Sequence, residues 1–334
     1  MNQTPILAVS DLTVTFRTAE GPVAAVRGVD LEVDQRGVLG IVGESGSGKT
    51  VTMLAVLGLL PAGATVTGSV RYRGRELLGL APGELRKLRG AKLAMIFQDP
   101  MSSLNPVFTI GHQIAEGIRV HHPEVGRKEG ARRAVELLEL VGIPQPDRRA
   151  RDYPHQFSGG MCQRAMIAMA VANDPELLIA DEPTTALDVT IQAQILDVLR
   201  DIRQEKGVGI VLISHDLGVV AGLVDRVAVM YSGRVVERGP VDGVYYGSRH
   251  PYTRGLLASL PRLDESGHSR LTAIRGAPPS LLDLPPGCVF HPRCPHAQAD
   301  CQVDDPRLRP VGPVESACHY AETLDTPAEP VRAV

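Results

Sequence analysis

Residues 43–50 read Gly-Glu-Ser-Gly-Ser-Gly-Lys-Thr, and no other stretch restricts the fold of this chain as strongly. The apolar run at residues 37–42 precedes it. A helical pattern follows from about Lys49 to Leu60 and stops at Pro61. A buried strand, a G-x-x-x-x-G-K-[ST] loop and a helix, in that order, form a cradle for phosphate. The glycines let backbone N–H groups turn toward an anion where side chains would obstruct. The helix presents its positive N-terminal end to the same anion. Gly43, Ser45, Gly46, Ser47 and Gly48 line such a cradle, Lys49 reaches the β- and γ-phosphates, and the Thr50 hydroxyl can ligate Mg²⁺.

The flanking pattern is that of an α/β protein. Residues 6–16 and 23–33 partly alternate and suggest an antiparallel β layer. Residues 68–74 and 92–97 read as further strands, and about 100–172 as a mostly helical insertion. Apolar strands return at 177–180 and 208–213, and residues 226–239 form a hairpin about Ser232-Gly233. The strand at 177–180 ends in Asp181-Glu182. An Asp in that position can hold Mg²⁺ through its water shell, and the neighbouring Glu can orient or deprotonate a water aimed at a γ-phosphate. Taken alone, this pair is a weak signal, and solvated loop acids are its commoner explanation.

Composition limits the remaining choices. With 334 residues, 43% hydrophobic and 22% charged, the chain can bury a sizeable core and is neither disordered nor fibrous. A formal charge of −3 gives no indication of a strongly basic nucleic-acid binder. No apolar run approaches the roughly 18–20 residues needed to span a bilayer. The first residues lack a basic then apolar leader pattern, so a cytoplasmic protein is expected, attached to membrane only through a partner. After about Gly239 the chain becomes rich in Pro and Gly, and its last dozen residues lack periodicity. Of five cysteines, Cys162 stands alone and reads as a packed helix residue; Cys288, Cys294, Cys301 and Cys318 follow the spacing C-x5-C-x6-C-x16-C. In a reducing compartment this favours a metal or redox role over disulfides. Four thiolates satisfy a [4Fe–4S] cluster or a tetrahedral Zn²⁺, with His291, His296 and His319 as spare ligands; unligated thiols are the third reading.

Residues 157–164, Phe-Ser-Gly-Gly-Met-Cys-Gln-Arg, resemble the LSGGQ signature of ABC-type ATPases, with Phe and Met at its first and last positions. Gln98 in IFQDP resembles that family's Q-loop, Ala186-Leu187-Asp188 its D-loop, His215 in LISHD its switch histidine, and Phe16 the aromatic that stacks on adenine. The resemblance covers about residues 5–265. It implies a P-loop NTPase core with an antiparallel β subdomain and an inserted helical subdomain. It also implies ATP and Mg²⁺ as ligands, the metal held through Thr50, Gln98 and Asp181. Glu182 would be the general base, with Gln98 and His215 sensing the γ-phosphate. Ser158, Gly159 and Gly160 would meet nucleotide held by a partner subunit, and Asp188 would belong to the nucleotide-binding residues.

Residues 98–106, QDPMSSLNP, the His250-Pro251-Tyr252-Thr253 stretch and the cysteine tail resemble the oligopeptide/dipeptide and nickel importer group of that family. This implies a small Cys-containing C-terminal extension (266–322), a flexible tail (323–334) and an iron–sulfur cluster on the four tail cysteines. The implied activity is ATP hydrolysis that drives peptide uptake at the cytoplasmic face of the cell membrane. The implied partners are a second related ATPase in a heterodimer, two permease subunits and an extracytoplasmic solute-binding protein, with no nucleic acid. A nickel or sugar importer subunit is the alternative within the group. A soluble, non-transport ABC ATPase is the alternative outside it.

Overall fold

The structure, a computed structural model, describes residues 4–185, 187–260 and 274–324. Ala186, Pro261 (where a short helix following His250-Pro251-Tyr252-Thr253 is expected to end), the expected boundary near 265 and most of the expected tail lie outside them. The chain divides into two compact units. One contains residues 79–212 with short pieces up to Ile6 and at Asp34–Gly37. The other contains Leu7–Val33, Val38–Leu78 and the chain from Ile213 onward.

In the second unit, strands Leu7–Thr18 and Gly21–Val33 pair antiparallel, and the first also pairs antiparallel with Ala64–Tyr72. This is the β layer expected from the alternation at 6–16 and 23–33. Val9, Leu12 and Val14 alternate only approximately, because the register shifts near Asp11, which sits at φ 46. Strand Val38–Val42 is buried along its whole length and pairs parallel with Arg226–Tyr231. That strand turns at Ser232-Gly233 into Arg234–Pro240. The helix after the glycine loop is Lys49–Val56, shorter than the pattern to Leu60 suggests. Gly58 sits at φ 61, a left-handed position that ends a helix where Leu59 and Leu60 would have extended it.

The extension adds two strands that the sequence did not reveal. Arg309–Val311 and Val314–Ser316 form a hairpin, and Glu237 pairs with Ser316 to join it to the preceding sheet. Three residues each are too few for alternation to show.

In the first unit, the parallel strands Leu93–Ile96 and Leu177–Asp181 lie side by side, with Ile96 opposite Ala180. Between them in sequence come the helices Pro100–Ser103, Ile110–His121, Arg127–Leu140, Pro146–Arg149 and Gly159–Ala170. The inserted segment is therefore helical, as its i, i+3, i+4 spacing requires. Ile110, Ile114 and Ile118 are fully buried along one stripe, as are Ala134 and Leu138 on the next long helix. Among the described residues no helix is long and apolar enough to cross a membrane.

Candidate functional site

The glycine loop is shaped by sterics. Gly43, Gly46 and Gly48 have φ 152, 77 and 98, values that L side chains rarely adopt. A Cβ on Gly43 would come within 2.2 Å of the Met230 carbonyl oxygen, and one on Gly48 within 2.6 Å of that of Ala25. The backbone thus packs where no side chain fits. Gly48 starts the helix Lys49–Val56 with no side-chain cap. Lys49 is buried; its Nζ donates to the carbonyls of Gly43 at 2.7 Å and Glu44 at 3.0 Å, folding the ammonium over the loop. Ser47 is buried, and its Oγ has no hydrogen-bond partner in the structure. A buried hydroxyl left unsatisfied is costly unless a ligand completes it. Ser45 and Gly46 are exposed at the mouth, and Thr50 is half-buried. His215, exposed at the end of strand Gly209–Ser214, belongs to this same unit. Phe16 is half-buried near the end of its strand, opposite Val23 and Ala64.

The first unit holds the other candidates. Strand Leu177–Asp181 is buried throughout, and Asp181 is only 2% exposed. Glu182 follows it at φ 47, a left-handed conformation costing on the order of 1–3 kcal/mol for a residue that is not glycine. Two hydrogen bonds secure it there. Gln98 Nε2 donates to Glu182 Oε2 at 3.0 Å, and Thr185 Oγ1 donates to the same oxygen at 2.9 Å. Two residues 84 positions apart meet because each follows the C-terminal end of one of two adjacent parallel strands.

Ser158 caps the helix Gly159–Ala170, its Oγ accepting from Met161 N at 3.3 Å; Ser158 and Gly159 are exposed. Asp188 caps the helix Val189–Lys206 in the same way, accepting from Ile191 N at 3.0 Å. The two helix starts are neighbours. A Cβ on Gly160 would meet Ile191 Cγ2 at 2.9 Å, and one on Gly159 would meet Leu187 Cδ2 at 3.9 Å. Glycines in the signature therefore serve packing as well as exposure. Cys162 is fully buried in this helix, as a packed residue should be.

The four tail cysteines converge. Cys288, Cys294, Cys301 and Cys318, with His291, His296 and His319, line one small cavity of about 20 Å³. Cys288 N donates to Cys301 O at 2.9 Å, and Gly287 at φ 68 brings the two segments together. Burial, with some repulsion from neighbouring thiols, pushes Cys288, Cys294 and Cys318 up to about 11. They are therefore protonated at neutral pH in the absence of a ligand. Among the described residues no group of three His, Cys, Asp or Glu side chains stands close enough to hold a single metal ion. The thiols share a cavity without forming a ready tetrahedral site.

The extension also supplies contacts that the sequence reading missed. Arg293 donates to both carboxylate oxygens of Glu44 in the glycine loop, at 2.6 and 2.9 Å, and Glu44 N donates to Tyr252 Oη at 2.8 Å. Tyr252 packs with Tyr231, His250 and Phe290 in a buried aromatic group, which anchors the extension. The only signal in the sequence was an Arg and a Tyr embedded among prolines and histidines.

A glycine cradle closed by a lysine, a strand-end Asp-Glu pair bonded to a distant Gln, and a capped Ser-Gly-Gly helix start define a nucleotide-binding cassette. Comparison with known proteins agrees. The ABC transporter family pattern matches residues 26–185, and the C-terminal region of oligopeptide/dipeptide transporters matches 236–301. The oligopeptide transport ATP-binding protein OppD of Bacillus subtilis is 49% identical over 99% of this chain and 93% of its own length. The dipeptide transport ATP-binding protein DppD of the same organism is 48% identical over 94% of this chain and 92% of its own. OppD of Mycobacterium tuberculosis is 58% identical over 91% of this chain, and the chain spans half the length of that relative. Among solved structures, an ABC cassette dimer in a post-hydrolysis state with ADP and phosphate matches with TM-score 0.64 and 27% identity, over 70% of this chain and 98% of the other. This chain belongs to the family of ATP-binding subunits of oligopeptide and dipeptide ABC importers.

Proposed function

We propose that this chain binds MgATP in the cradle at 43–50 and hydrolyses it to drive peptide import. Each of the two compact units contributes one observation that supports this reading. One is the loop whose lysine is folded over its own carbonyls and whose Ser47 hydroxyl lacks a partner. The other is Glu182, held by Gln98 and Thr185 at a strand end.

In this reading backbone amides of the glycine loop other than those of Glu44 and Ser47, which Tyr252 and the Glu44 carbonyl already take, bind the phosphates together with the Ser45 and Ser47 hydroxyls. Thr50, Gln98 and Asp181 are the residues that would hold Mg²⁺, and the ion would neutralise charge on the triphosphate when bound. Lys49 exchanges its carbonyl partners for β- and γ-oxygens. Glu182 takes the proton of the attacking water, and Gln98 and His215 respond to the γ-phosphate. Phe16 stacks on the base. Ser158, Gly159 and Gly160 contact nucleotide bound to the opposing subunit, with Asp188 among the nucleotide-binding residues; the exposure of Ser158 and Gly159 at a helix start suits that role. Phe97, Met101, Val107 and Phe108 are exposed apolar residues around the short helix that follows Gln98. They offer a permease coupling segment a surface beside the hydrolytic glutamate. The partners are then a second related ATPase, two permease subunits and a solute-binding protein, and the chain sits peripherally on the membrane. We assign residues 5–265 to the cassette, with its helical insertion at about 100–172, and 266–322 to the extension.

The test is ATP turnover by the complex assembled with its permeases. Glu182→Gln should cut the rate by about 100-fold or more and keep ATP binding; Lys49→Ala should lose binding. Full turnover in Glu182→Gln would overturn the assignment of the base.

A second reading concerns the extension. We propose a [4Fe–4S] cluster on Cys288, Cys294, Cys301 and Cys318, with Zn²⁺ as the alternative; the support is that these four thiols line one cavity and are the ligand number such a cluster takes. Such a cluster would hold the thiols as thiolates and pin a segment with little core of its own.

A further inference from the structure

We propose that Arg293 of the C-terminal extension is a positioning residue of the phosphate loop, which neutralises and anchors Glu44 so that MgATP affinity depends on the extension. The proposal rests on the reading that the 43–50 loop binds ATP.

Every polar group of Glu44 is tied. Its N–H donates to Tyr252 Oη at 2.8 Å. Its carbonyl accepts from Lys49 Nζ at 3.0 Å and from Ser47 N at 3.2 Å. Its carboxylate takes the bidentate fork of Arg293. Two of these four partners, Tyr252 and Arg293, come from more than 200 residues further along the chain. The Arg293 side chain is only 5% exposed. It also donates to the Arg275 carbonyl at 3.0 Å, the Gly276 carbonyl at 3.2 Å and Tyr231 Oη at 3.4 Å, and its guanidinium lies over Tyr231 and Phe290 at 5.8 and 5.9 Å. The guanidinium is fixed by the extension on one side and presents its fork to the loop on the other.

Two consequences follow from charge and geometry. A carboxylate in the second position of a loop that binds a polyanion repels that anion; a buried bidentate arginine cancels the charge and holds it away from the cradle. Glu44 is also the residue whose carbonyl receives the Lys49 ammonium, so fixing Glu44 fixes the resting place of the cation that meets the phosphates. Lys in place of Arg293 would keep the charge and lose the fork. Because the loop holds the β- and γ-phosphates before and during reaction alike, loosening it removes uniform binding. The effect belongs in KM and in nucleotide affinity, with kcat little changed.

The test uses the assembled transporter and MgATP. Arg293→Ala should raise the KM for ATP about tenfold with kcat within about twofold, and Arg293→Lys should raise it about threefold. Adding Glu44→Gln to Arg293→Ala should restore part of the loss, to about threefold above wild type, because the unneutralised carboxylate is gone. A purely structural role for Arg293 gives a double variant no better than Arg293→Ala, and that result overturns the proposal. So does an unchanged KM in Arg293→Ala. If Arg293→Ala does not fold, Arg293→Lys decides, and a wild-type KM in it is equally fatal. Wild-type protein that shows no saturable dependence on ATP would sink the nucleotide reading itself; saturable wild type with indifferent Arg293 variants sinks this inference alone.

Discussion

Glu237 is a carboxylic acid with none of its surface in water, yet it lies in a strand that carries the extension. It accepts from Arg249 N, and burial pushes it up to about 7 against weaker pulls from hydrogen bonds and from the charge of Arg254. Between pH about 4.5 and 7 the folded protein keeps a proton that the unfolded chain releases. This group's contribution is therefore full below pH 4.5 and is lost as pH rises through 7. His250, fully buried and held down to about 3, has the opposite sign: its contribution is present above pH 6.5 and lost as pH falls toward 3. The two partly cancel in the wild type. Thermal melts of Glu237→Gln and wild type across pH 4 to 8 isolate the carboxyl. The variant should gain stability relative to wild type as pH rises from about 4.5 to 7. A difference that stays flat across that window would show that Glu237 is ionised in the folded protein. At this scale the sequence was legible where chemistry repeats a pattern. Lys49, Asp181 and Glu182 stood out because each ends or begins a regular element. Arg293 and Glu237 did not, because their meaning lies in burial and in partners far along the chain.

Elements were read best where their period is long enough to count. The strand–loop–helix at 38–56, the strand at 177–181 and the helical insertion followed from apolar periodicity and glycine placement. The 309–316 hairpin did not, since two three-residue strands rely on the neighbouring edge at Glu237 for their existence. The extension that carries it is held by the aromatic group of Tyr231, Tyr252 and Phe290, by the Arg293–Glu44 pair and by Arg238, which bonds the Glu315 carboxylate at 2.9 and 3.1 Å. It therefore has anchors that do not require a metal. If the four thiols hold a cluster, protein purified without oxygen should carry iron and acid-labile sulfide, and Cys318→Ser should lose both and melt at lower temperature while the cassette stays folded. Four titratable thiols in native anaerobic protein, with no metal, would contradict the cluster reading.

For the whole molecule, the exposed start of the signature helix and the buried, unsatisfied Ser47 hydroxyl are each half of an arrangement that a single chain does not complete in this reading. In this reading ATP would join the two halves across two polypeptides, and its cleavage would release them, which is how the cassette would move a permease. The sequence motifs allowed that idea to be formed; their order along the chain carried it, since a lone Ser-Gly-Gly or a lone strand-end histidine has common structural uses. What motif order could not convey was the tie between the extension and the phosphate loop. The most direct test is a structure of the assembled complex carrying Glu182→Gln and bound to MgATP. The account predicts a triphosphate enclosed by this chain's 43–50 loop on one side and by another polypeptide's signature loop on the other, with Ser158–Gly160 of this chain against the opposing nucleotide. A nucleotide wholly enclosed by one copy, with Ser158 facing solvent, would contradict it.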